Sequence, residues 1–144
     1  MEIFANPNES SVKQLLAESE LPTADITTAH LTHFFGCGSD NELVGVIGLE
    51  LYGEVALLRS LAVAPGWRGT GLGSRLVAHA EHYAWDQGVK TLYLLTTTAE
   101  AFFLRRGYVR AYREDAPATI KSTTEFSGIC PVSSAFMAKS LMTL

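Results

Sequence analysis

The sequence predicts an α+β domain built on one mixed, mostly antiparallel sheet flanked by helices. Three observations point there. Two long runs rich in β-formers, 43–52 and 55–63, are divided by Gly53, the pattern of a hairpin. Apolar residues recur at helical spacing in 7–19 and again in 72–87. The second helix is followed by a compact apolar run at 89–95, so a strand–helix–strand unit succeeds the hairpin. A chain of 144 residues, 47% hydrophobic and 18% charged, has the composition of one folded core, and we read 1–144 as a single domain.

The elements follow in order. Met1–Ala5 alternates weakly, as a short strand. Asn6-Pro7-Asn8-Glu9 supplies an N-cap, a proline at the first helical position and an acid in the first turn of helix 7–19, whose apolar side is Val12, Leu15 and Leu16. The Thr- and Ala-rich segment 21–32 reads as a loop or a short helix. Phe34, Phe35 and Cys37 lead into the turn cluster Gly38-Ser39-Asp40-Asn41 and form, with 43–52 and 55–63, an antiparallel meander. Leu72, Leu76, Val77, Ala80, Tyr83 and Ala84 share one side of helix 72–87, which Gly88 stops. Beyond strand 89–95 come a short helix at 99–106 ending at Gly107, a strand over 108–112, a helical stretch from Pro117 to Phe126, and a last strand over 135–141.

Composition excludes several classes. With 11 Lys and Arg against 15 Asp and Glu the net charge is −4, and no basic cluster offers a nucleic-acid footprint. The N-terminus carries no basic region and no sustained apolar stretch. The longest apolar run, Leu43 to Leu49, falls well short of the roughly 20 residues of a membrane span. A soluble, cytoplasmic protein with no membrane partner is expected. Cys37 and Cys130 are too distant for zinc-ligand spacing and read as packed, reduced thiols. His79 and His82 are i, i+3 on a helix with no third ligand, so they read as surface residues and no metal is expected.

The stretch that carries chemistry is Leu61-Ala62-Val63-Ala64-Pro65-Gly66-Trp67-Arg68-Gly69-Thr70-Gly71-Leu72-Gly73-Ser74. It joins a strand to a helix, and its glycines at 69, 71 and 73 let main-chain N–H groups converge on an anion. The positive end of the following helix faces the same point. The pattern reads as a diphosphate cradle. It is not a Walker loop, since no Lys follows Gly73. Nor is it a dinucleotide turn: the spacing is Gly-x-Gly-x-Gly, and the strand before it closes a meander instead of opening a βαβ unit.

Arg68-Gly69-Thr70-Gly71-Leu72-Gly73 resembles the Gln/Arg-x-x-Gly-x-Gly/Ala signature of the GCN5-related N-acetyltransferase (GNAT) superfamily. The strand end 61–65 and the helix ending in Gly107-Tyr108 are similar to further elements of that family, and together they cover residues 42–108. The resemblance implies acetyl-CoA as co-substrate. Main-chain groups of Arg68, Gly69, Thr70, Gly71, Leu72, Gly73 and Ser74 would hold its pyrophosphate. Leu61 and Val63 would pair with the pantetheine arm like an added strand. An N–H near Leu61 or Ala62 would polarise the thioester carbonyl. Thr96 stands where many members place an Asn, and Phe103 where many place the Tyr that protonates the leaving thiolate, so Tyr93 or water enters as an alternative donor. The family also brings a homodimer through the last strands as a candidate assembly.

An amine must lose a proton before it attacks. Glu54, the acid at the start of strand 55–63, is the candidate base; the alternative is a solvated charge at a strand end. Arg59, mid-strand, reads as a bidentate clamp for a substrate carboxylate, as a side chain snorkelling to the surface, or as an ion-pair partner of Glu50 or Glu54. The segment 58–63 is similar to that of N-acetylglutamate-synthase-like members, which favours the clamp. The tail, with Thr124-Glu125-Phe126, Cys130-Pro131 and Ala135-Phe136-Met137, resembles small GNATs associated with arsenic-resistance gene clusters. That implies an amino-acid-like acceptor, arsenic-containing acceptors among the candidates. The expected function is N-acetylation of a small amine by direct attack in a ternary complex. Two alternatives stand beside it: an acyl-CoA-binding regulatory module, favoured by Phe103, and a protein N-acetyltransferase.

Overall fold

Gly53, at φ 73°, turns the chain between two β-rich runs. The computed structural model, which describes residues 2–131 and 133–141, pairs these runs as β3 (Glu42–Tyr52) and β4 (Val55–Val63). β1 (Ile3–Ala5) and β2 (Phe34–Ser39) add antiparallel strands on one side. On the other side lie β5 (Thr91–Thr96), β7 (Ala135–Ser140) and the two-residue edge strand β6 (Val109–Arg110). The sheet has seven strands in the order β1-β2-β3-β4-β5-β7-β6, and the β4–β5 pair is its parallel one. The expected α+β architecture is present. Of the expected first strand, Met1 lies outside the described residues.

A parallel pair needs a crossover, which α2 (Leu72–Asp86) supplies. Its apolar stripe, Leu72, Leu76, Val77, Ala80 and Ala84, packs on Ile47, Leu49, Ala56, Leu58, Leu92 and Leu94. Gly88, at φ 90°, ends the helix: its N–H reaches Trp85 O and that of Val89 reaches Ala84 O, both at 3.0 Å. The other sheet face is covered in two parts. α1 (Glu9–Glu18) buries Val12, Leu15 and Leu16 with Phe34, Val46 and Ala62. Farther along, Ile120 and Phe136 pack on Leu57.

Several boundaries move. Asn8, not Asn6, caps α1, accepting from Ser11 N at 3.2 Å, so Pro7 precedes the helix. Segment 21–32 is mostly irregular and leads into a 3₁₀ turn at His30–His33. The short helix after β5 is α3 (Glu100–Leu104). The stretch 117–126 divides into α4 (Ala118–Lys121) and a separate π turn, Glu125–Ile129. His79 is half-buried, its ring 4.7 Å from that of Phe35, not a free surface group.

Candidate active site

β4 and β5 pair at Val55–Thr91, Ala56–Leu92 and Leu57–Tyr93, where the described ladder ends. Beyond it β5 stays with β7 as far as Thr96–Ala135. β4 meanwhile continues along β3. The two strands therefore part, and the gap is a cleft of about 770 Å³ lined by Leu58–Val63 and Leu94–Thr96.

A β-bulge shapes one wall. Val46 pairs with Ala62 but Gly48 with Arg59, so two steps along β3 match three along β4. Ser60 absorbs the extra residue at φ 60°, a conformation costly for a non-glycine residue. The side-chain alternation shifts accordingly. Ala56 and Leu58 face α2, yet so do Leu61 and Val63, while Ala62 packs with α1. A bulge removes main-chain groups from regular pairing and turns them toward the gap.

The strand then leads into the glycine turn. Gly69 and Gly71 have φ of 78° and 85°, and a Cβ on either would meet nothing within 4 Å. Gly71 is the N-cap of α2, and no side chain caps it among the described residues. The first-turn N–H groups of a 15-residue helix thus face solvent. Leu72 offers main chain alone, because its side chain packs over Gly45. Arg68 lines the cleft and donates from Nε to Val63 O at 3.1 Å. The Thr96 hydroxyl accepts from Ala99 N at 2.9 Å, and buried Phe103 forms the wall beside it. Ser74 stands apart, accepting from Arg106 in a smaller groove with Lys139. Tyr93, the alternative donor, is stacked flat on Phe136 and lies outside the described lining of the cleft.

Two sequence expectations need correction. Glu54 sits at the turn end of β4, its side chain 70% exposed and paired with Lys90 at 3.0 Å, outside the described lining. A charge so placed gains nothing from leaving water, so the chain has no reason to carry it inward. Arg59 is 3% exposed, and its guanidinium donates four hydrogen bonds and is ringed by three carboxylates. Nε donates to Ser60 Oγ at 3.0 Å. Nη1 donates to Asp25 Oδ2 at 2.5 Å and Glu50 Oε2 at 2.6 Å. Nη2 donates to Asp25 Oδ1 at 2.8 Å and faces Glu125 Oε2 at 3.3 Å. With three carboxylates already against it, the guanidinium is not an open clamp for a substrate carboxylate. The pairing with Glu50 is present; a pairing with Glu54 is not.

This makes a cluster of one cation and three carboxylates, of which Arg59 and Glu125 line the cleft. Asp25 is held below the usual carboxylate range: burial is the largest single influence and pushes it up, but the hydrogen bond and charge of Arg59, with a backbone hydrogen bond and His30, together outweigh it. Glu50 also accepts from Tyr52 Oη at 2.5 Å, and His30 Nε2 lies 3.9 Å from it. Asp25, His30 and Glu50 bring ligand-type atoms within 4.8 Å of one another, but the positive charge seated there is the guanidinium. Glu125 differs from its neighbours. It is 4% exposed, and burial lifts its carboxyl to about 7, against the pull of Arg59 and with the push of Asp25 and Glu50. Cys130 and Ser134 line the same cleft. Burial, foremost, and then the charge of Glu125 push the Cys130 thiol up to about 12. The Ser134 hydroxyl is buried without a hydrogen-bond partner among the described residues. Sequence reasoning passed over Asp25, Glu125 and Ser134 as candidates because each is a lone polar residue in an aperiodic segment.

A sequence profile of the Acetyltransferase (GNAT) family matches residues 2–108. The chain belongs to this family. The GNAT domain is 48% identical over 68 residues to an amino-acid acetyltransferase of Ralstonia nicotianae, covering 47% of this chain and 14% of that protein. An uncharacterised N-acetyltransferase of Chlorobaculum tepidum is 33% identical over 92 residues, 63% of this chain and 59% of that one. The chain thus spans less than two thirds of the length of either. In fold, this GNAT chain is similar to the N-acetylglutamate synthase of Neisseria gonorrhoeae complexed with coenzyme A and N-acetyl-glutamate. There the TM-score is 0.79 at 21% identity, over 97% of this chain and 35% of that one. A GNAT-family acetyltransferase of Staphylococcus aureus Mu50 gives 0.73 at 18% identity, over 97% and 98% of the two chains.

Proposed function

We propose that this GNAT domain transfers an acetyl group from acetyl-CoA to the amine of a small, amino-acid-like molecule. One observation carries the reading: the parted parallel strands and the bulge at Ser60 line a cleft that reaches Arg68, the residue from which the chain enters two left-handed glycines and an uncapped helix N-terminus. The residues fit the co-substrate, since open space at Gly69 and Gly71 admits a diphosphate against main-chain N–H groups. Bound there, acetyl-CoA supplies the activated thioester. Main-chain groups from Arg68 to Ser74 hold the phosphates, the Ser74 hydroxyl being turned away to Arg106; Leu61 and Val63 offer main-chain groups to the extended arm, and an N–H at Leu61 or Ala62 polarises the carbonyl. Thr96 and Phe103 flank the arm.

The raised thiol of Cys130 supports direct attack. Cys130, pushed up to about 12, is a neutral thiol at physiological pH and a poor acyl carrier. The amino-acid class is supported by the Ralstonia nicotianae relative and the Neisseria gonorrhoeae neighbour. Release of free thiol from acetyl-CoA across amino acids, an arsenic-containing amino acid, simple amines and N-terminal peptides tests it. Turnover restricted to small amino-acid-like amines supports the proposal. Tight cofactor binding with no turnover on any amine favours the second reading, an acyl-CoA-sensing module, for which Phe103 in place of a proton-donating Tyr is the motivating observation.

A further inference from the structure

We propose that the inner wall formed by Glu125 and Ser134 is the acceptor-amine site, and that Glu125 is the base that takes the amine's proton. The inference rests on the acetyl-transfer reading above and assigns the acceptor end of it. The wall is built to receive a cation. Arg59, Asp25, Glu50 and Glu125 together carry one positive and up to three negative charges, so an ammonium balances the cluster where a carboxylate would worsen it. Arg59 is already neutralised by the carboxylates around it, at 2.5, 2.6 and 3.3 Å, so it is no open seat for an anion. Asp25 and Glu50 are each tied to Arg59 by short bonds of 2.5 to 2.8 Å, whereas Glu125 meets it at 3.3 Å.

Ser134 is the independent observation. Its hydroxyl is buried in the cleft wall with no partner among the described residues, and buried hydroxyls are ordinarily satisfied. In the proposed site a bound ammonium donates to this hydroxyl as well as to Glu125, which lines the same cleft. The backbone at this position is fixed: Ser134 O accepts from Arg113 Nη2 at 2.8 Å, and Ser134 N donates to Pro131 O at 2.9 Å. The wall is therefore set before substrate arrives.

The proton balance is simple. An ammonium nitrogen loses two protons on becoming an amide. The first passes to Glu125 before attack, freeing the lone pair that bonds to the acetyl carbon. As the carbon–sulfur bond breaks, the second goes through water to the departing thiolate, and Glu125 returns its own to solvent. Burial makes the carboxylate suitable. Raised to about 7, it is a stronger base than an ordinary glutamate and is about half ionised at neutral pH. The groups facing it are Arg59 of β4, Glu50 of β3, Asp25 of the loop before the 3₁₀ turn, and Cys130 beyond the π turn.

The test is a pH series of kcat/KM with two acceptor amines of different basicity, on wild type, E125Q and S134A. We expect wild type to rise with unit slope and level off near pH 7, at the same position for both amines. E125Q loses about 100-fold or more in kcat/KM and loses that limb, while its affinity for coenzyme A by calorimetry stays within about threefold. S134A raises KM for the amine severalfold with kcat nearly kept. An E125Q rate within about threefold of wild type, or a wild-type limb that moves with the amine, overturns the assignment. Should E125Q fail to fold, the position of the wild-type limb decides alone. A wild type that binds coenzyme A but acetylates nothing overturns the transfer reading instead.

Discussion

Arg59 grips Asp25 with both terminal nitrogens, at 2.5 and 2.8 Å, joining residues 34 apart in sequence. The pair ties an irregular loop to the central strand beside the bulge. Removing the cation strands three buried carboxylates, and breaking such a pair typically costs about 3–5 kcal/mol. We expect R59M to lose that much in a urea melt at pH 8. R59K should recover little of it, because one ammonium cannot satisfy a five-donor geometry. The sign with pH follows. Without Arg59 the folded-state carboxyls rise above their unfolded values, so their penalty is absent at low pH and grows as pH rises. The R59M deficit should shrink by pH 5, and a deficit independent of pH would contradict this account.

Glu125 makes a second pH signature in the unsubstituted protein. Its folded value, about 7, lies above that of an unfolded glutamate. The stability it contributes is therefore fully present below the unfolded value and is lost as pH rises through about 7. Glutamine does not titrate. The stability of E125Q relative to wild type should climb between pH 5 and pH 8, by at most about 3 kcal/mol. Thermal melts across that range measure it. A constant difference would place Glu125 in a more hydrated setting than its burial indicates.

The meander, both long helices and the glycine turn were legible because each is local. Gly53 and Gly88 mark their turns, the apolar stripe of α2 has its period, and the cradle is contiguous in sequence. The acceptor end was not legible because it is assembled at a distance. Asp25 comes from a segment with no periodic signal, and Glu125 opens a π turn, whose spacing matches neither helix nor strand. Glu50 and Glu54 looked equivalent as partners for Arg59 until the register set Gly48 opposite Arg59, bringing Glu50 inward and leaving Glu54 at the turn. The bulge at Ser60 also escapes pattern reading, since one added residue merely shifts the alternation.

Gly48 tests the packing behind the cluster. A Cβ there would lie 2.3 Å from Phe34 Cε1, and the Phe34 ring is fully buried with Arg59 5.9 Å over its centre. The ring has no room to yield. We expect G48A to cost about 1–3 kcal/mol from overpacking, and F34L to relieve part of that in the double variant although it destabilises alone. Denaturant melts of the four proteins give the coupling, and strict additivity would mean that the ring swings away freely.

The cradle yields the prediction on which the cofactor assignment turns. Gly71 holds φ at 85°, and its carbonyl accepts the first bond of α2, from Arg75 N at 3.1 Å. Valine in the left-handed region costs about 1–2 kcal/mol, and its branch would occupy the open space where a phosphate would approach. G71V should therefore weaken coenzyme A binding at least about tenfold, with a modest fall in melting temperature. Gly66 serves as the control. Its Cβ would also meet nothing within 4 Å, but its φ lies outside the left-handed region. G66A should bind coenzyme A within about twofold of wild type, a strain-free Gly→Ala change being tolerated. Calorimetric titration of both variants separates the effects. If G71V binds as tightly as G66A, the diphosphate does not sit on the N-terminus of α2.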